Sequence, residues 1–146
     1  MSTPLKRQPR AYVAGPITSS GSLHENLHNG IKVGDELLKI GVHPFIPHLY
    51  DFTKIVTGVD HPWETMLTMD ENWITACDLL VALPGQSKGK EREIAFAQAR
   101  HIPVVRLDDN SIYDPWDVHL NYGLRDFLND WNSELEKWTP IPQPVA

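Results

Sequence analysis

Short apolar runs alternate with longer amphipathic stretches along this chain, which predicts the order strand, helix, strand, helix, strand. Ala11-Tyr12-Val13-Ala14 is the first run, and Gly15-Pro16 stops it. From 23 to 40 the apolar positions Leu27, Ile31, Val33, Leu37, Leu38 and Ile40 recur near helical spacing, with Ser22 placed to cap the start and Gly41 to end it. Residues 42–46 predict a second strand, closed by Pro47. The stretch 48–62 has no period and is long for a connection, so a functional loop or a partly helical segment is expected. Pro62-Trp63-Glu64 opens a helix that carries Met66, Met69 and Trp73 to Ala76, proline being tolerated in a first turn. The run 79–83 predicts the third strand, 87–100 the next helix, and 102–107 a fourth strand. A final helix is expected over 120–138, with Leu124, Phe127, Leu128, Trp131 and Leu135 on one face. Near-continuous apolar strands separated by helices imply an α/β fold with a parallel sheet covered on both faces.

Composition narrows the partners. The chain has 146 residues, 41% hydrophobic and 22% charged, which fits a single domain over 11–138 between a polar leader, 1–10, and a proline-rich tail, 139–146. A net charge of −6 argues against a non-specific binder of nucleic acid or anionic membranes, which needs a basic face. No run approaches the roughly 18 apolar residues of a membrane span, and 1–10 lacks the apolar core of a secretory signal, so a cytoplasmic protein is expected. Cys77 is the sole cysteine and has no internal partner; its neighbours suggest a small buried residue. His24 and His28 share a helix face, yet with no third ligand nearby in sequence they do not define a metal site, and no cofactor is expected.

The chemistry concentrates after the third strand. Pro84 and Gly85 end the strand, and Ser87-Lys88-Gly89-Lys90-Glu91-Arg92-Glu93 opens the helix, which brings backbone donors and an acid to one place. In an open parallel sheet small molecules bind over the carboxyl ends of the strands, where the Gly15 loop, Asp70 and Glu93 should converge with Tyr12. A pair of carboxyls there can divide the cleavage of a glycosidic bond, one attacking the anomeric carbon and one serving the leaving group. The plain alternative is that the Lys90 to Glu93 run is a solvated first turn with acids favoured by the helix dipole. Likewise Asp70 can be a polar position of an amphipathic helix, Tyr12 a packed strand residue, and Ser87 with Gly89 a turn.

Three ordered motifs together carry a resemblance: Tyr12-Val13-Ala14-Gly15-Pro16-Ile17, then Asp70-Glu71-Asn72-Trp73-Ile74-Thr75-Ala76-Cys77-Asp78, then Ser87-x-Gly89-x-x-x-Glu93. Over about 11–107 the chain resembles the nucleoside 2-deoxyribosyltransferase superfamily, which includes the 2'-deoxynucleoside 5'-phosphate N-hydrolases. The resemblance implies a Rossmann-like (flavodoxin-like) three-layer sandwich, a homodimer or higher homo-oligomer, and double displacement through a glycosyl-enzyme ester. It implies Glu93 as nucleophile, Asp70 as the residue that contacts or protonates the base, and Tyr12 as the group that orients Glu93. Gly15, Pro16, Ile17, Thr18, Ser87 and Gly89 would bind substrate, and Asp78 would be structural. The transferases carry an acid six positions before the nucleophile for a free 5'-hydroxyl, whereas the nucleotide hydrolases carry a serine. Ser87 stands there, which favours a nucleoside 5'-monophosphate, while Thr18 stands where the nucleotide hydrolases carry an arginine. The expected activity is hydrolysis of such monophosphates to free base. Base exchange between deoxynucleosides is the alternative, and a non-catalytic nucleotide-binding module is the alternative of another class.

Overall fold

The computed structural model describes residues 7–17, 22–109 and 114–135, so Thr18 and the proline-rich tail lie outside the described residues. The elements run β1 (Arg10–Ala14), α1 (Leu23–Lys39), β2 (His43–Phe45), a 3-10 helix (Pro47–Phe52), α2 (Thr53–Thr57), α3 (Trp63–Thr75), β3 (Leu79–Ala82), α4 (Lys88–Ala99), β4 (Val104–Arg106) and, after short turns, α5 (Tyr122–Leu135).

The four strands are all parallel, in the order β2-β1-β3-β4. Connections therefore lead away from β1 in one direction first and then in the other, and a crevice opens between β1 and β3 at their carboxyl ends. Every residue of β3, and all of β1 after Arg10, is buried, as strands covered on both faces must be. One face packs Ala11, Val13, Leu79 and Val81 against Val33 and Leu37 of α1 and Leu124 of α5. The other packs Tyr12, Ala14, Leu80 and Ala82 against Ile74 of α3 and Ile94 and Ala97 of α4. The result is a Rossmann-like three-layer α/β sandwich.

Both outer strands are shorter than the apolar pattern suggests. Pro44 has no N–H to give a ladder, which suits only an edge, and the chain leaves β2 after Phe45 into the 3-10 helix. On the other edge Pro103 precedes β4, and Leu107 starts another 3-10 turn. The aperiodic stretch is the partly helical alternative, since the 3-10 helix and α2 lie within it. Caps follow the sequence: the Ser22 hydroxyl accepts the Glu25 N–H at 3.1 Å, the Ser-x-x-Glu pattern of a capping box. The chain joins the sheet earlier than a leader to residue 10 would suggest. Arg7 donates twice to the Asp78 carboxylate, each at 2.9 Å, and Arg10 N–H adds a bond at 2.8 Å, so Asp78 fastens β1 to the start of β3. No helix among the described residues is long and apolar enough to cross a membrane.

Candidate active site

Two loops meet above β1 and β3. Ala14 and Ala82 are paired in register and the Leu83 N–H bonds the Ala14 carbonyl at 2.8 Å, so Gly15 and Leu83 leave the sheet side by side. A Cβ on Gly15 would stand 2.7 Å from the Leu83 side chain, so only glycine lets the strands part here without displacement. Beyond Gly15, buried side chains hold the backbone. Asn26 Nδ2 donates to the Ile17 carbonyl at 3.0 Å, and His48 Nε2 donates to the Pro16 carbonyl at 3.1 Å. A carbonyl only accepts, so the His48 proton sits on Nε2, and burial pushes its pKa below the usual histidine value. On the β3 side the buried Lys90 ammonium donates to the carbonyls of Leu83, at 3.1 Å, and Gly85.

Between these loops, α3 and the 47–62 stretch lies a cleft of about 580 Å³ whose walls include Gly15, Ile17, Asp51, Trp63, Asp70, Ser87, Gly89 and Glu93. Glu93, 7% exposed, accepts a hydrogen bond from the hydroxyl of Tyr12, which is fully buried in β1. The Tyr12 ring is braced from behind by Phe45, at 5.8 Å between centroids, and Phe45 by Trp73 at 4.8 Å. Trp73 itself is half-exposed. Asp70 reaches the same place from α3. The phenol proton goes to Glu93, with Asp70 near enough to feel the same hydroxyl, and Asp70 Oδ1 is occluded with no hydrogen-bond partner among the described residues. Burial is the first cause of the shift at both acids, lifting Glu93 to about 8 and Asp70 to about 6; the Tyr12 hydroxyl opposes it at each. The mutual repulsion of the two acids adds to the rise at Glu93. The pair therefore carries a single proton between about pH 6 and 8.

The helix end supplies donors. Ser87 is the N-cap of α4 and its Oγ accepts the Lys90 N–H at 3.1 Å, which leaves its own proton free to point outward. The Lys88 and Gly89 N–H groups have no acceptor within the helix, as first-turn amides never do. Lys88 lines the cleft, and no carboxylate among the described residues lies within ion-pair distance of it.

Of the residues expected from sequence, Gly15, Ile17, Asp70, Ser87, Gly89 and Glu93 line this cleft and Tyr12 lies beneath it. Pro16 turns instead toward a smaller neighbouring cavity, its carbonyl held by His48. Thr18 lies outside the described residues. The Lys90 to Glu93 run is not a solvated turn: Lys90 and Glu93 are buried, Glu91 and Arg92 exposed. Sequence reasoning missed Asn26, His48 and Lys90, which position backbone, and Asp51 on the far wall. Asn26 was detectable, because it falls on the buried stripe Asn26, Gly30, Val33, Leu37. Half-buried Cys77 has its thiol pushed up to about 11 by burial and is no thiolate near neutral pH. No group of three or more His, Cys, Asp or Glu side chains able to hold a metal occurs among the described residues.

Comparison with known proteins adds a fold relative and a family. The crystal structure of a conserved protein from Enterococcus faecalis V583 is similar at a TM-score of 0.52 and 20% sequence identity, over 90% of this chain and 99% of that one. At that identity the likeness concerns the fold. No curated protein matches. The family model for a domain of unknown function, DUF7768, matches residues 9–107, from just before β1 to the end of β4, and so takes in both loops and all of α3 and α4. The chain belongs to the DUF7768 family.

Proposed function

We propose that this protein hydrolyses the N-glycosidic bond of (2'-deoxy)nucleoside 5'-monophosphates, releasing free base. The observation that carries the reading is the set on the cleft floor: a buried glutamate bonded by a buried tyrosine, beside an aspartate with an unpartnered oxygen. The Glu93 carboxylate attacks C1' as the bond to the base nitrogen breaks, and the base takes the proton held by Asp70. Water then attacks C1' of the ester, freeing the sugar phosphate and regenerating the Glu93 carboxylate, while its proton returns to Asp70. One proton on the pair is what the first step needs. Burial alone would hold it on Glu93; the Tyr12 bond favours charge on Glu93, and a base nitrogen accepting from Asp70 completes the shift.

The 5'-phosphate is supported by the end of α4, where the Ser87 hydroxyl, the Gly89 N–H and the Lys88 ammonium offer neutral donors and a cation. Lys88 supplies positive charge where Thr18 does not. The resemblance of the three motifs to the nucleoside 2-deoxyribosyltransferase superfamily supports the same reading. The enzyme would act in the cytoplasm as a homodimer or larger homo-oligomer, for which the exposed pair Ile55 and Val56 offers apolar surface.

A panel of nucleosides and nucleoside monophosphates, with and without an acceptor base, tests the proposal. Free base released from monophosphates alone supports it. Base exchange on unphosphorylated nucleosides supports a transferase instead. Binding without turnover, unchanged in Glu93→Ala, supports a nucleotide-binding module.

A further inference from the structure

The cleft has a second occluded oxygen without a hydrogen-bond partner among the described residues. Asp51, at the far wall from Ser87, carries Oδ2 out of contact with solvent and without a hydrogen-bond partner, as Asp70 does Oδ1. The two carboxyls are near enough to repel each other's charge. Buried acceptors without donors are costly, and each calls for a donor that the described residues do not supply. Three of the donors nearby have other partners. Lys54 Nζ lies 2.8 Å from Asp60, His48 Nε2 donates to Pro16, and the Tyr12 proton goes to Glu93. His48 Nδ1, also unpartnered, abuts Gly30 of α1 and is not part of the cleft wall.

We propose that Asp51 reads the base, so that the cleft selects bases bearing an exocyclic amino group over their oxo counterparts. This rests on the nucleotide reading above and names its substrate class. An amino group donates two N–H bonds and a carboxylate only accepts, whereas the oxo group of the counterpart base would bring a lone pair against the same oxygen. With a ring nitrogen accepting from Asp70, the amino group is the donor that the base edge presents to Asp51. Unpaired acceptors opposed across a buried contact discriminate more strongly than a lost methyl contact does.

The test compares 2'-deoxyadenosine with 2'-deoxyinosine 5'-monophosphate, and 2'-deoxycytidine with 2'-deoxyuridine 5'-monophosphate. Binding to the Glu93→Gln protein is measured by calorimetry and base release by the unsubstituted protein. The expected result is tighter binding of the amino member of at least one pair by about tenfold or more. Asp51→Asn, whose amide can also donate, should bring that ratio to within about twofold. Equal binding within both pairs, or an oxo preference, overturns the inference whether or not Asp51→Asn folds. Base release with no such preference overturns it and leaves the glycosidase standing; an amino preference in binding without base release does the reverse. No binding of any of the four overturns both.

Discussion

The wall formed by α4 and the wall formed by residues 47–62 face the same cleft but are held by different kinds of interaction. On the α4 side the key groups are buried and bonded across long sequence distances: Glu93 to Tyr12 of β1, and Lys90 to the two carbonyls that shape the β3 loop. On the other side α2 buries none of its five residues, and the turn after it closes on an exposed ion pair, Lys54 with Asp60. Reacting groups need fixed geometry, and Glu93 has it; on the other wall buried His48 makes a comparable bond, to Pro16, but before α2 begins. A wall that meets the variable part of a ligand needs shape more than rigidity, and segments with few buried contacts are the ones that open most easily. If the difference is functional, substitutions on the first wall should affect rate and those on the second affinity.

Glu93→Gln should give the largest effect. Base release, followed by chromatography, is expected to fall by about ten-thousandfold or more, because an amide cannot form the ester. Stability should move the other way. The folded state keeps a proton on Glu93 up to about pH 8, while the unfolded chain gives it up near the ordinary value of 4.5, so this group's contribution is greatest in acid and is lost as pH rises between them. Removing the charge should stabilise by on the order of 2–4 kcal/mol at pH 8 and little at pH 4.5, read as a thermal midpoint above the parent's only at the higher pH. A midpoint that falls at both would mean that Glu93 holds the fold together, and the contrast between the walls would fail.

Tyr12→Phe comes next. It keeps the ring between Phe45 and the sheet and removes only the hydroxyl, so kcat should drop about a hundredfold while binding changes little. The pH profile sharpens this. Base release by the parent should be bell-shaped, failing below about 6, where both acids hold protons and none attacks, and above about 8, where neither can protonate the base. Without the Tyr12 donor, which lowers the Glu93 value, the upper limb should move to still higher pH. An unchanged profile would mean that the hydroxyl does not reach the reacting carboxylate.

How much of this is legible in the sequence depends on the distance between partners. The strands, the cap at Ser22 and the arrival of Glu93 over β3 are local consequences of apolar runs, small residues and helical spacing, and they read directly. Lys90 was partly legible: with Glu93, Ile94 and Ala97 it forms one buried stripe, so the cation on it was the anomaly to notice. The partners were not legible. Lys90 bonds backbone carbonyls, as do Asn26 and His48, and a carbonyl belongs to every residue type, so no side-chain pattern marks it. Asp51 sits where the period itself is lost, because a 3-10 helix joined to a five-residue α-helix sustains neither a two-residue nor a 3.6-residue repeat.

The Gly15 loop tests rigidity without touching a reacting group. Gly15→Ala forces a Cβ to within 2.7 Å of Leu83, and the cost should be about 1–3 kcal/mol in denaturant unfolding, with a loss of kcat from the displaced loop. Stability unchanged within error would mean that Leu83 yields freely, and the first wall would be softer than its hydrogen bonds suggest.

The smallest effect is expected at the second wall. Lys54→Met removes the cation from an ion pair whose partner Asp60 is 82% exposed, and such a pair, with both groups in water and screened by salt, holds little. The thermal midpoint should not change measurably. What should change is KM for the preferred monophosphate, upward by no more than about threefold at constant kcat, because the wall meets ligand and not the reacting carbon. The rise should shrink as salt is added, since salt weakens the pair in the parent too. A fall in kcat instead would place the 47–62 stretch among the parts that set the chemistry. The two walls would then be one device, with the short helix closing on the ligand before Glu93 can attack.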